Sequence, residues 1–472
     1  MVVGEFTQET DLVVIGGGPG GYSVAFRAAE LGIETIIVDT KGALGGVCLH
    51  HGCIPSKTML SISETLCLAE RAAKFGVHFD KPNVDLGEIR QWMSQTIDTL
   101  ASGLGNIAKE RGVEVLKGKA RFEDQRQLSI HNGSGSRIRF KRAVIATGAS
   151  PLPPAGGWLD SPRMMDAAAA LELDEIPATL LVIGGGYIAL ELASVYAALG
   201  SKVTLATQFD RLLPEADADL VRPLATCLGE ILEDVRLNAP IADLREVDTG
   251  IEGTFQSAET PSSAVFERVL VAIGHRPNTA ALDLAKARVG VDDAGYVRIN
   301  DQLRSSNVRI LAVGDVTGEP LLADKAIHQG RVAAEVVAGW GSVFDPRAVP
   351  FVVFTDPQVA WCGLTETQAA DQGIAHETVT IPWGASGRAV SLGRSDGMTK
   401  LVYDPDTKLV LGVGIVGAGA AEMIAHGVLA VEMGAVTTDL ALLIHPHPTM
   451  SELIGEAAAR VEATPPPEPL CG

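Results

Sequence analysis

The sequence has no long apolar segment and no recognisable export signal. No apolar run reaches the roughly 18 residues that a membrane-spanning helix requires, so we expect no membrane insertion. The first ten residues include Glu5 and Glu9, and no basic region followed by an apolar stretch is present, which argues against a signal peptide. We therefore expect a cytoplasmic protein.

The sequence is also short of positive charge. Its 38 lysine and arginine residues are outnumbered by 58 aspartate and glutamate residues, which gives a formal net charge of −20. Because an acidic surface repels phosphate, we expect no nucleic-acid partner. The charge fits either a need for solubility or a basic protein partner, and composition does not separate the two.

Cysteine is scarce and unevenly distributed. The six cysteines are Cys48, Cys53, Cys67, Cys227, Cys362 and Cys471. Four of them lie in apolar or loop contexts that are typical of inert thiols, whereas Cys48 and Cys53 lie close together. In a reducing compartment such a pair is more typical of a catalytic or metal site than of a structural disulfide.

A zinc site is the alternative for this pair. It would need a second pair of ligands at a comparable spacing, and the sequence contains none. His50 and His51 lie between the cysteines but are expected to point away from a disulfide, so we predict no metal. A thiolate at a helix N-terminus beside Lys57 would have a pKa below the usual value of about 8.5. The spacing therefore indicates a redox-active disulfide.

The sequence does contain an internal repeat. An apolar run at residues 11–15 leads into the glycine-rich turn Gly16–Gly21, a helical pattern and a second strand that ends at Asp39. The same order recurs at residues 179–206, where the turn is Gly184–Ala189. Glycines let the backbone approach a pyrophosphate, and the helix N-terminus donates N–H groups to it. A tight turn without a ligand is the alternative, but two dinucleotide sites in one chain would imply electron transfer between two cofactors.

The length of 472 residues suits about three domains. We predict an α/β fold with two Rossmann-like dinucleotide-binding domains and an α+β C-terminal domain. The predicted boundaries are 1–150 for the first dinucleotide domain with the cysteine pair, 151–278 for the second dinucleotide domain, 279–348 for a return to the first, 349–460 for the C-terminal domain and 461–472 for a flexible, proline-rich tail.

The segment from Gly45 to Lys57 resembles the active-site signature of the pyridine nucleotide-disulfide oxidoreductases. Similar motifs of that family continue along nearly the whole chain, at residues 146–148, 184–191, 274–278, 314–315 and 445–452. The segments at 382–388 and 395–400 are more similar to the dihydrolipoamide dehydrogenase branch than to glutathione or mercuric reductases. The resemblance implies that the first domain binds FAD, the second binds NAD and the C-terminal domain dimerises.

The resemblance also implies how FAD is held. Gly16, Gly18 and Gly21 would face its pyrophosphate, and Asp39 would bind the ribose hydroxyls of the adenosine. The other expected FAD contacts are Thr147, Gly148, Gly314, Asp315 and Ala323. Asp315 is expected near the ribityl chain, and the alternative for Asp39 and Asp315 is a capping or turn acid.

By the same resemblance, Cys53 is the thiol nearest the flavin and Cys48 is the interchange thiol that reacts with the substrate sulfur. Lys57 is expected near the flavin N5, in an ion pair with Glu191 from the second domain, so that both residues also contact the cofactors. A lone lysine or glutamate would otherwise be an ordinary surface charge.

The near-terminal motif supplies the expected base. His447 suits proton transfer with the dithiol because an imidazole titrates near neutral pH, and Glu452 is expected to orient it. In the family this base comes from the other subunit, so the resemblance implies a homodimer built through the C-terminal region. His445 is expected to be structural.

The second domain departs from a standard NAD site. Its expected contacts are Gly184, Gly186, Tyr187, Ala189, Thr207 and Gly274. Tyr187 is expected to cover the nicotinamide face of the flavin, with simple packing as the alternative. Thr207 occupies the strand end where an NAD site usually has an acid, and Ala189 in place of a third glycine mildly favours NADP. We expect NAD, and NADP stays open. His275 stands where the family typically has arginine.

The leading hypothesis is an enzyme that oxidises protein-bound dihydrolipoamide at Cys48 and Cys53 and transfers hydride through FAD to NAD. Its partner would be a lipoylated carrier protein, a lipoyl domain of a 2-oxoacid dehydrogenase-type complex or another lipoate-dependent system. The alternatives are an NADPH-dependent reductase of another small-molecule or protein disulfide, and a redox sensor or peripheral subunit docked on a basic partner. Cys471 resembles a C-terminal redox thiol but lacks the usual second cysteine, so we expect no catalytic role for it.

Overall fold

The computed structural model describes residues 7–131, 136–154, 156–256 and 261–463. The described chain forms three main β-sheets with helices packed against them. None of the helices in these four ranges is both long enough and apolar enough to cross a membrane.

The first sheet is mostly parallel and contains the first copy of the repeat. Its strand order is β3-β2-β1-β6-β5-β4, and the end of β6 also pairs with β17. The central strand β1 runs parallel to both of its neighbours, and residues 12–15 are at most 4% exposed, as expected for a strand covered on both faces. The strands are β1 (Thr7–Ile15), β2 (Thr35–Asp39), β3 (Glu114–Lys117), β4 (Lys119–Phe122), β5 (Gln127–His131), β6 (Ser136–Ile145) and β17 (Ile310–Ala312).

Helices on this sheet carry the cysteine pair. The helices are α1 (Pro19–Glu30), α2 (Gly46–His51), α3 (Cys53–Arg71), α4 (Leu86–Glu110) and α8 (Ala323–Val337). Helices α1 and α8 pack against each other, and α3 packs against α4. Helices α2 and α3 are separated by Gly52 alone, whose backbone angles (φ −145°, ψ −109°) break the helical path. One cysteine therefore lies on each side of this break.

The second copy of the repeat builds a separate parallel sheet of order β11-β10-β9-β15-β8. Its strands are β8 (Met164–Met165), β9 (Thr179–Ile183), β10 (Lys202–Ala206), β11 (Asp234–Arg236) and β15 (Arg268–Val271), with helices α5 (Ala167–Glu172), α6 (Tyr187–Ala198) and α7 (Ala218–Ile231). An antiparallel sheet follows α7 and comprises β12 (Ile241–Val247), β13 (Gly250–Phe255) and β14 (Ser262–Phe266). The chain enters and leaves this unit through the antiparallel pair β7 (Ala149–Pro151) and β16 (His275–Pro277).

The two glycine turns are built alike, as the repeat predicts. Gly16 follows β1 with φ +106°, and Gly184 follows β9 with φ +143°. A Cβ at either position would overlap a carbonyl oxygen at the end of a neighbouring strand, Ala146 O in the first copy and Ala272 O in the second. Glycine is therefore required at both positions by backbone conformation and by close approach.

The third sheet is antiparallel, with order β18-β19-β22-β21-β20. Its strands are β18 (Phe351–Val353), β19 (Gln358–Gly363), β20 (Glu377–Pro382), β21 (Met398–Tyr403) and β22 (Val410–Gly417). Helices α11 and α13 pack on it, and the helices of this region are α9 (Glu366–Asp371), α10 (Gly387–Ser391), α11 (Ala420–Met433), α12 (Thr437–Ala441) and α13 (Glu452–Glu462). Because α13 continues to Glu462, the tail predicted at 461–472 does not begin at 461. Residues 464–472, with Cys471, lie outside the described part.

Candidate redox active site

A cavity of about 660 Å³ lies at the carboxyl end of the first sheet. Its lining follows four parallel strands directly: Gly16 comes after β1, Asp39 ends β2, Ala146 comes after β6 and Val313 comes after β17. The carboxyl ends of parallel strands are where α/β sheets bind their ligands, and the volume lies within the roughly 300–1,000 Å³ typical of cofactor sites. The cavity is therefore a ligand site of the size that a dinucleotide requires.

Asp39 closes one end of this cavity. Its Oδ2 accepts a hydrogen bond from Gly17 N at 3.0 Å, and its Oδ1 accepts from Lys41 N at 2.8 Å and Gly42 N at 3.1 Å. Asp39 thus acts as the turn acid that was the alternative interpretation, and it also lines the cavity. Its contact with a ribose stays a prediction.

The three glycines predicted to face a pyrophosphate have different surroundings. Gly16 and Gly18 line the cavity, and Gly18 touches the start of α2, since a Cβ on Gly46 would lie 2.6 Å from Gly18 Cα. Gly21 does not line the cavity, contrary to the prediction. A Cβ on Gly21 would overlap Gly16 O, so this glycine allows the first turn of α1 to pack tightly behind the loop.

Cys48 and Cys53 meet at the wall of the cavity. Both are half-buried free thiols, Cys48 within α2 and Cys53 as the first residue of α3. A hydrogen bond from the Cys48 thiol lowers the pKa of Cys53, and the charge of Lys57 lowers it further against the effect of burial. The same hydrogen bond, together with burial, raises the pKa of Cys48. These opposite shifts favour Cys53 as the thiolate of a reduced pair and Cys48 as the thiol that keeps its proton.

Lys57 and Glu191 form the ion pair that was predicted. Lys57 Nζ lies 2.8 Å from Glu191 Oε2 and 3.0 Å from Oε1, and Glu191 is only 2% exposed. Phe354, the residue after β18, donates its backbone N–H to Glu191 Oε1 at 3.0 Å, and its ring lies 4.5 Å from Lys57 Nζ. The pair thus joins three parts of the chain beside the thiols.

The other predicted FAD residues also line the cavity. They are Thr147, Gly148, Gly314, Asp315 and Ala323. Thr147 Oγ1 donates to Asn278 O at 2.8 Å, and Asn278 Nδ2 donates to Thr147 O at 3.0 Å. Burial raises the pKa of Asp315, while the nearby Lys325 and His275 oppose that shift. His275 also lines the cavity, and burial lowers its pKa.

The second glycine turn meets this cavity through Tyr187. Tyr187 begins α6, lines the cavity and packs edge-on against Phe351, with 5.6 Å between ring centroids. Burial raises the pKa of its hydroxyl. A Cβ on Gly186 would meet no atom within 4 Å, so the turn is open for a ligand on that side. Ala189 is fully buried and cannot contact a ligand directly, contrary to the prediction. Gly184 and Gly274 lie at the ends of β9 and β15, outside the cavity.

Thr207 follows β10 as predicted but does not present its side chain to a ligand. It is 2% exposed, and its Oγ1 accepts a hydrogen bond from Phe209 N at 3.3 Å. A Cβ on Gly185 would lie 2.8 Å from this oxygen. Thr207 therefore fills the position over the middle glycine that Asp39 fills in the first copy, and the predicted contact between its side chain and a ribose is not supported.

His447 and Glu452 form a pair of their own. His447 Nδ1 lies 2.9 Å from Glu452 Oε2, and Glu452 Oε1 accepts from Thr449 N at 3.4 Å. The His447 side chain is 81% exposed, whereas that of Glu452 is 15% exposed. Neither residue lines the cavity that holds Cys48. Within one chain, the predicted base His447 therefore pairs with Glu452, but this pair does not line the cavity that contains Cys48.

The two histidines between the cysteines are engaged elsewhere. His50 Nε2 lies 2.9 Å from Leu44 O, and His51 Nε2 lies 2.5 Å from Lys41 Nζ. Burial, followed by the charge of Lys41, lowers the pKa of His51. Within the residues that the structure describes, no group of three or more His, Cys, Asp or Glu side chains is placed to hold a metal ion.

Comparison with known proteins shows the family. The sequence model described as pyridine nucleotide-disulphide oxidoreductase matches residues 10–330, and the dimerisation domain of the same family matches residues 349–458. The chain belongs to this family. The family fold confirms the predicted α/β architecture of FAD- and NAD-binding units followed by a dimerisation domain.

Curated members of the family match the whole chain. A dihydrolipoyl dehydrogenase of Vibrio cholerae is 40% identical over 97% of this chain and 96% of its own length. Enzymes of the same name from Haemophilus influenzae and Haloferax volcanii are 41% and 39% identical, each over 97% of this chain.

Solved structures of the family show the same fold. The structure of LpdA from Mycobacterium tuberculosis is similar with a TM-score of 0.89 and 27% identity, and covers 96% of this chain and 99% of its own. The HOCl-induced flavoprotein disulfide reductase RclA of Escherichia coli has a TM-score of 0.83 at 27% identity, over 95% of this chain and 99% of its own.

Members of this oxidoreductase family use FAD and NAD(H). The cavity fits FAD because it offers what a dinucleotide needs: the side-chain-free turn 16–18, the N-terminus of α1, and Asp39 at the end of β2. The two thiols and Lys57 line the same cavity, and the reactive ring of a bound flavin would have to lie beside them.

Sequence reasoning missed two contacts of the family site. The hydrogen bonds of Asn278 to Thr147 could have been suspected, because both residues lie in family motifs, but their pairing spans 131 positions. The hydrogen bond from Phe354 to Glu191 had no local signal at all, since a backbone N–H donates it across 163 positions.

Proposed function

We propose that this chain is a dihydrolipoyl dehydrogenase. It oxidises protein-bound dihydrolipoamide at a Cys48–Cys53 disulfide, and the electrons leave through FAD to NAD as hydride. The observation that carries the proposal is the asymmetric thiol pair beside Lys57 and Glu191, in a chain about 40% identical over its whole length to enzymes of that name. A lipoylated carrier protein or a lipoyl domain of a 2-oxoacid dehydrogenase-type complex supplies the substrate, in the cytoplasm.

The thiol chemistry follows from the positions of the two sulfurs. A thiolate of the substrate attacks Cys48 Sγ of the disulfide, a substrate–Cys48 disulfide forms, and Cys53 leaves as a thiolate. The second substrate sulfur then displaces Cys48, so that the substrate dithiol is oxidised and the protein pair is reduced by two electrons. The lowered pKa of Cys53 favours its departure as the leaving group. When bound, FAD accepts these two electrons and passes them to the nicotinamide.

The substrate thiols must lose protons during this exchange. His447 accepts a proton at Nε2, because its Nδ1 faces Glu452, and the carboxylate stabilises the imidazolium that forms. We assign this base to the Cys48 site of the partner subunit in a homodimer. Three observations support this assignment: His447 is highly exposed, it does not line the cavity of its own chain, and the dimerisation domain of the family matches residues 349–458.

The cofactor contacts are part of the same proposal. FAD would be held by the turn 16–18, by Asp39 and by five further residues that line the cavity, Thr147, Gly148, Gly314, Asp315 and Ala323. Lys57, fixed by Glu191, places a positive charge beside the flavin ring. NAD would bind along the open side of the second turn at Gly186, and Tyr187, which lines the cavity, would cover the nicotinamide face of a bound flavin.

A second candidate function is an NADPH-dependent reductase of another disulfide. It is favoured by one observation: Thr207 brings no carboxylate to the strand end where NAD enzymes bind the ribose 2′-hydroxyl. No arginine pair for a 2′-phosphate follows it either, since Arg211 stands alone there and bonds to Pro214 O at 2.8 Å. Because neither a carboxylate nor an arginine pair decides between the two cofactors, we prefer NAD, which members of the family use.

The two functions are separated by one set of assays on the purified protein. We expect NAD reduction with dihydrolipoamide, and higher kcat/KM with lipoylated carrier protein, with at least a tenfold preference for NAD over NADP. Glutathione disulfide and thioredoxin with NADPH serve as the competing pairs. Faster turnover of either competing pair would overturn the proposal.

A further inference from the structure

The loop that carries His447 has one half-buried side chain between Leu442 and Pro448. It joins α12 to α13, which pack against each other. From Leu442 to Pro448 every residue is exposed except His445, which is half-buried. Ile444, next to it, is 99% exposed, and the His447 side chain is 81% exposed. His445 is therefore the residue of this stretch whose side chain packs into its own subunit.

The ring of His445 packs into a notch on α13. A Cβ on Gly455 would lie 2.8 Å from His445 Cε1 and 3.0 Å from its Nδ1, so the glycine leaves the space that the ring occupies. Gly455 is three residues after Glu452 and lies on the same face of the helix, one turn further on. The ring thus contacts α13 directly beyond the carboxylate that holds His447 at 2.9 Å.

A second helix holds the ring from another side. His426 of α11 meets His445 edge-on, with 5.5 Å between ring centroids and 62° between the planes. His445 Nε2 is buried and has no hydrogen-bond partner within the described part of the chain. The ring is therefore held by shape, between α11 and α13, and not by a hydrogen bond at that nitrogen.

We propose that His445 is a positioning residue for the base His447. Wedged between Gly455 and His426, the ring fixes the otherwise exposed loop so that His447 meets Glu452 and points outward to the thiols of the partner subunit. The inference rests on the proposed role of His447. His445 would act in the half-reaction in which the substrate dithiol is oxidised. It would act only through the position of His447 and would contact neither substrate nor cofactor.

His445→Ala tests the proposal with two reactions of the same preparation. We expect kcat for dihydrolipoamide with NAD to fall about 10- to 100-fold, because small misplacements of a catalytic group have effects of this size. Oxidation of NADH by ferricyanide uses the flavin without the base, and it should stay within about twofold of the parent. His445→Phe keeps a ring of similar shape and should recover most of the lost turnover. His376→Ala, at another half-buried histidine of the same region, should change neither rate.

A double-mutant cycle isolates the contact itself. Gly455→Ala should displace the ring and produce the same selective loss. In the variant with both His445→Ala and Gly455→Ala, the new methyl group has no ring to displace, so the loss should be no larger than for His445→Ala alone.

Three results would overturn the inference. They are a His445→Ala variant whose dihydrolipoamide turnover stays within twofold, additive effects in the cycle, and a parallel fall of both reactions with dissociation of the dimer. Failure of the proposed function would be seen differently, as a parent protein that does not turn over dihydrolipoamide. The same variants would then be compared on the disulfide that the parent does reduce.

Discussion

At the scale of single residues, the reactivity of the thiol pair depends on which sulfur holds the proton. Cys53 has its pKa lowered by the Cys48 thiol and by Lys57, while burial and the negative charge of Glu191 act in the opposite direction. These causes fix the direction in which each charge substitution shifts the pKa of Cys53. Removing the positive charge must raise the pKa of Cys53, and removing the negative charge must lower it.

We predict that removing the charge of Lys57 raises the pKa of Cys53 and that removing the charge of Glu191 lowers it. Both substitutions are made in a Cys48→Ser background, in which Cys53 still has a hydroxyl donor beside it. Lys57→Met should slow alkylation of Cys53 by iodoacetamide at neutral pH by about tenfold, which corresponds to a rise of about one pKa unit. Glu191→Gln should move the pH profile of alkylation to lower pH. The measurement is the alkylation rate against pH, followed by mass spectrometry of the peptide that contains Cys53.

Lys74→Met, in the 3-10 turn that follows α3, is the matched control and should leave the profile unchanged. If Lys57→Met left the profile unchanged as well, the positive charge would not stabilise the thiolate, and the assignment of Cys53 as the thiolate would lose its electrostatic basis.

The residue scale also shows where sequence reasoning succeeds. Motif residues such as Cys53, Lys57 and Glu191 could be assigned because the sequence resembles the family's motifs at these positions, and the structure brings them together. Ala189 and Thr207 were placed correctly along the chain but not in their orientation. The direction in which a side chain faces depends on the residues that pack against it. Here Thr207 packs against Gly185, the middle glycine of the turn, and Ala189 lies against Gly184. The spacing of residues along the chain does not indicate these contacts.

At the scale of elements, α7 of the second unit is tied to the third sheet by a buried ion cluster. Asp217 lies at the N-terminus of α7 but caps α9 instead, where it accepts from Glu366 N at 3.1 Å and Thr367 N at 3.3 Å. Lys400 on β21 is 1% exposed and lies 3.1 Å from Asp217, 3.0 Å from Asp219 and 2.6 Å from Glu366. Burial opposes the charge of Lys400, but hydrogen bonds to Glu366 and Asp219 outweigh it and raise its pKa.

We predict that Lys400→Met destabilises the protein by about 3 kcal/mol at pH 7, because it leaves a buried carboxylate without its cation. Thermal unfolding of the holoenzyme at pH 7 measures this. Lys202→Met, at an exposed lysine of β10, should have almost no effect. Equal losses for the two variants would contradict the account of the cluster.

Helices and strands could be predicted from the sequence only where their pattern lies within a short stretch of the chain. The two strand–turn–helix–strand units could be predicted, because glycine turns and apolar runs lie within about 30 residues of each other. The pairing of β7 with β16 and the capping of α9 by Asp217 join residues more than 100 positions apart. No periodicity along the chain encodes such contacts, so they had to come from the structure.

At the scale of the whole molecule, one chain contains the two parts of the proposed reaction site, but His447 does not line the cavity that contains Cys48. Cys48 lines the cavity at the end of the first sheet. His447 is exposed on the loop between α12 and α13, which also carries the exposed apolar side chains of Leu442, Leu443 and Ile444. Exposed apolar residues grouped in this way mark an interaction surface. A symmetric dimer through this surface would give two complete sites, each with thiols from one subunit and the base from the other.

Subunit mixing tests this arrangement, and with it the central claim, most directly. Cys48→Ser and His447→Ala homodimers should each be almost inactive in dihydrolipoamide-dependent NAD reduction while they keep their flavin. After the two variants are unfolded and refolded together, each mixed dimer should contain one intact site, made of Cys48 from one subunit and His447 from the other. Random pairing then predicts about a quarter of the parental activity. Recovery of no activity in mixtures whose mixed dimers are verified by mass spectrometry would contradict the shared site.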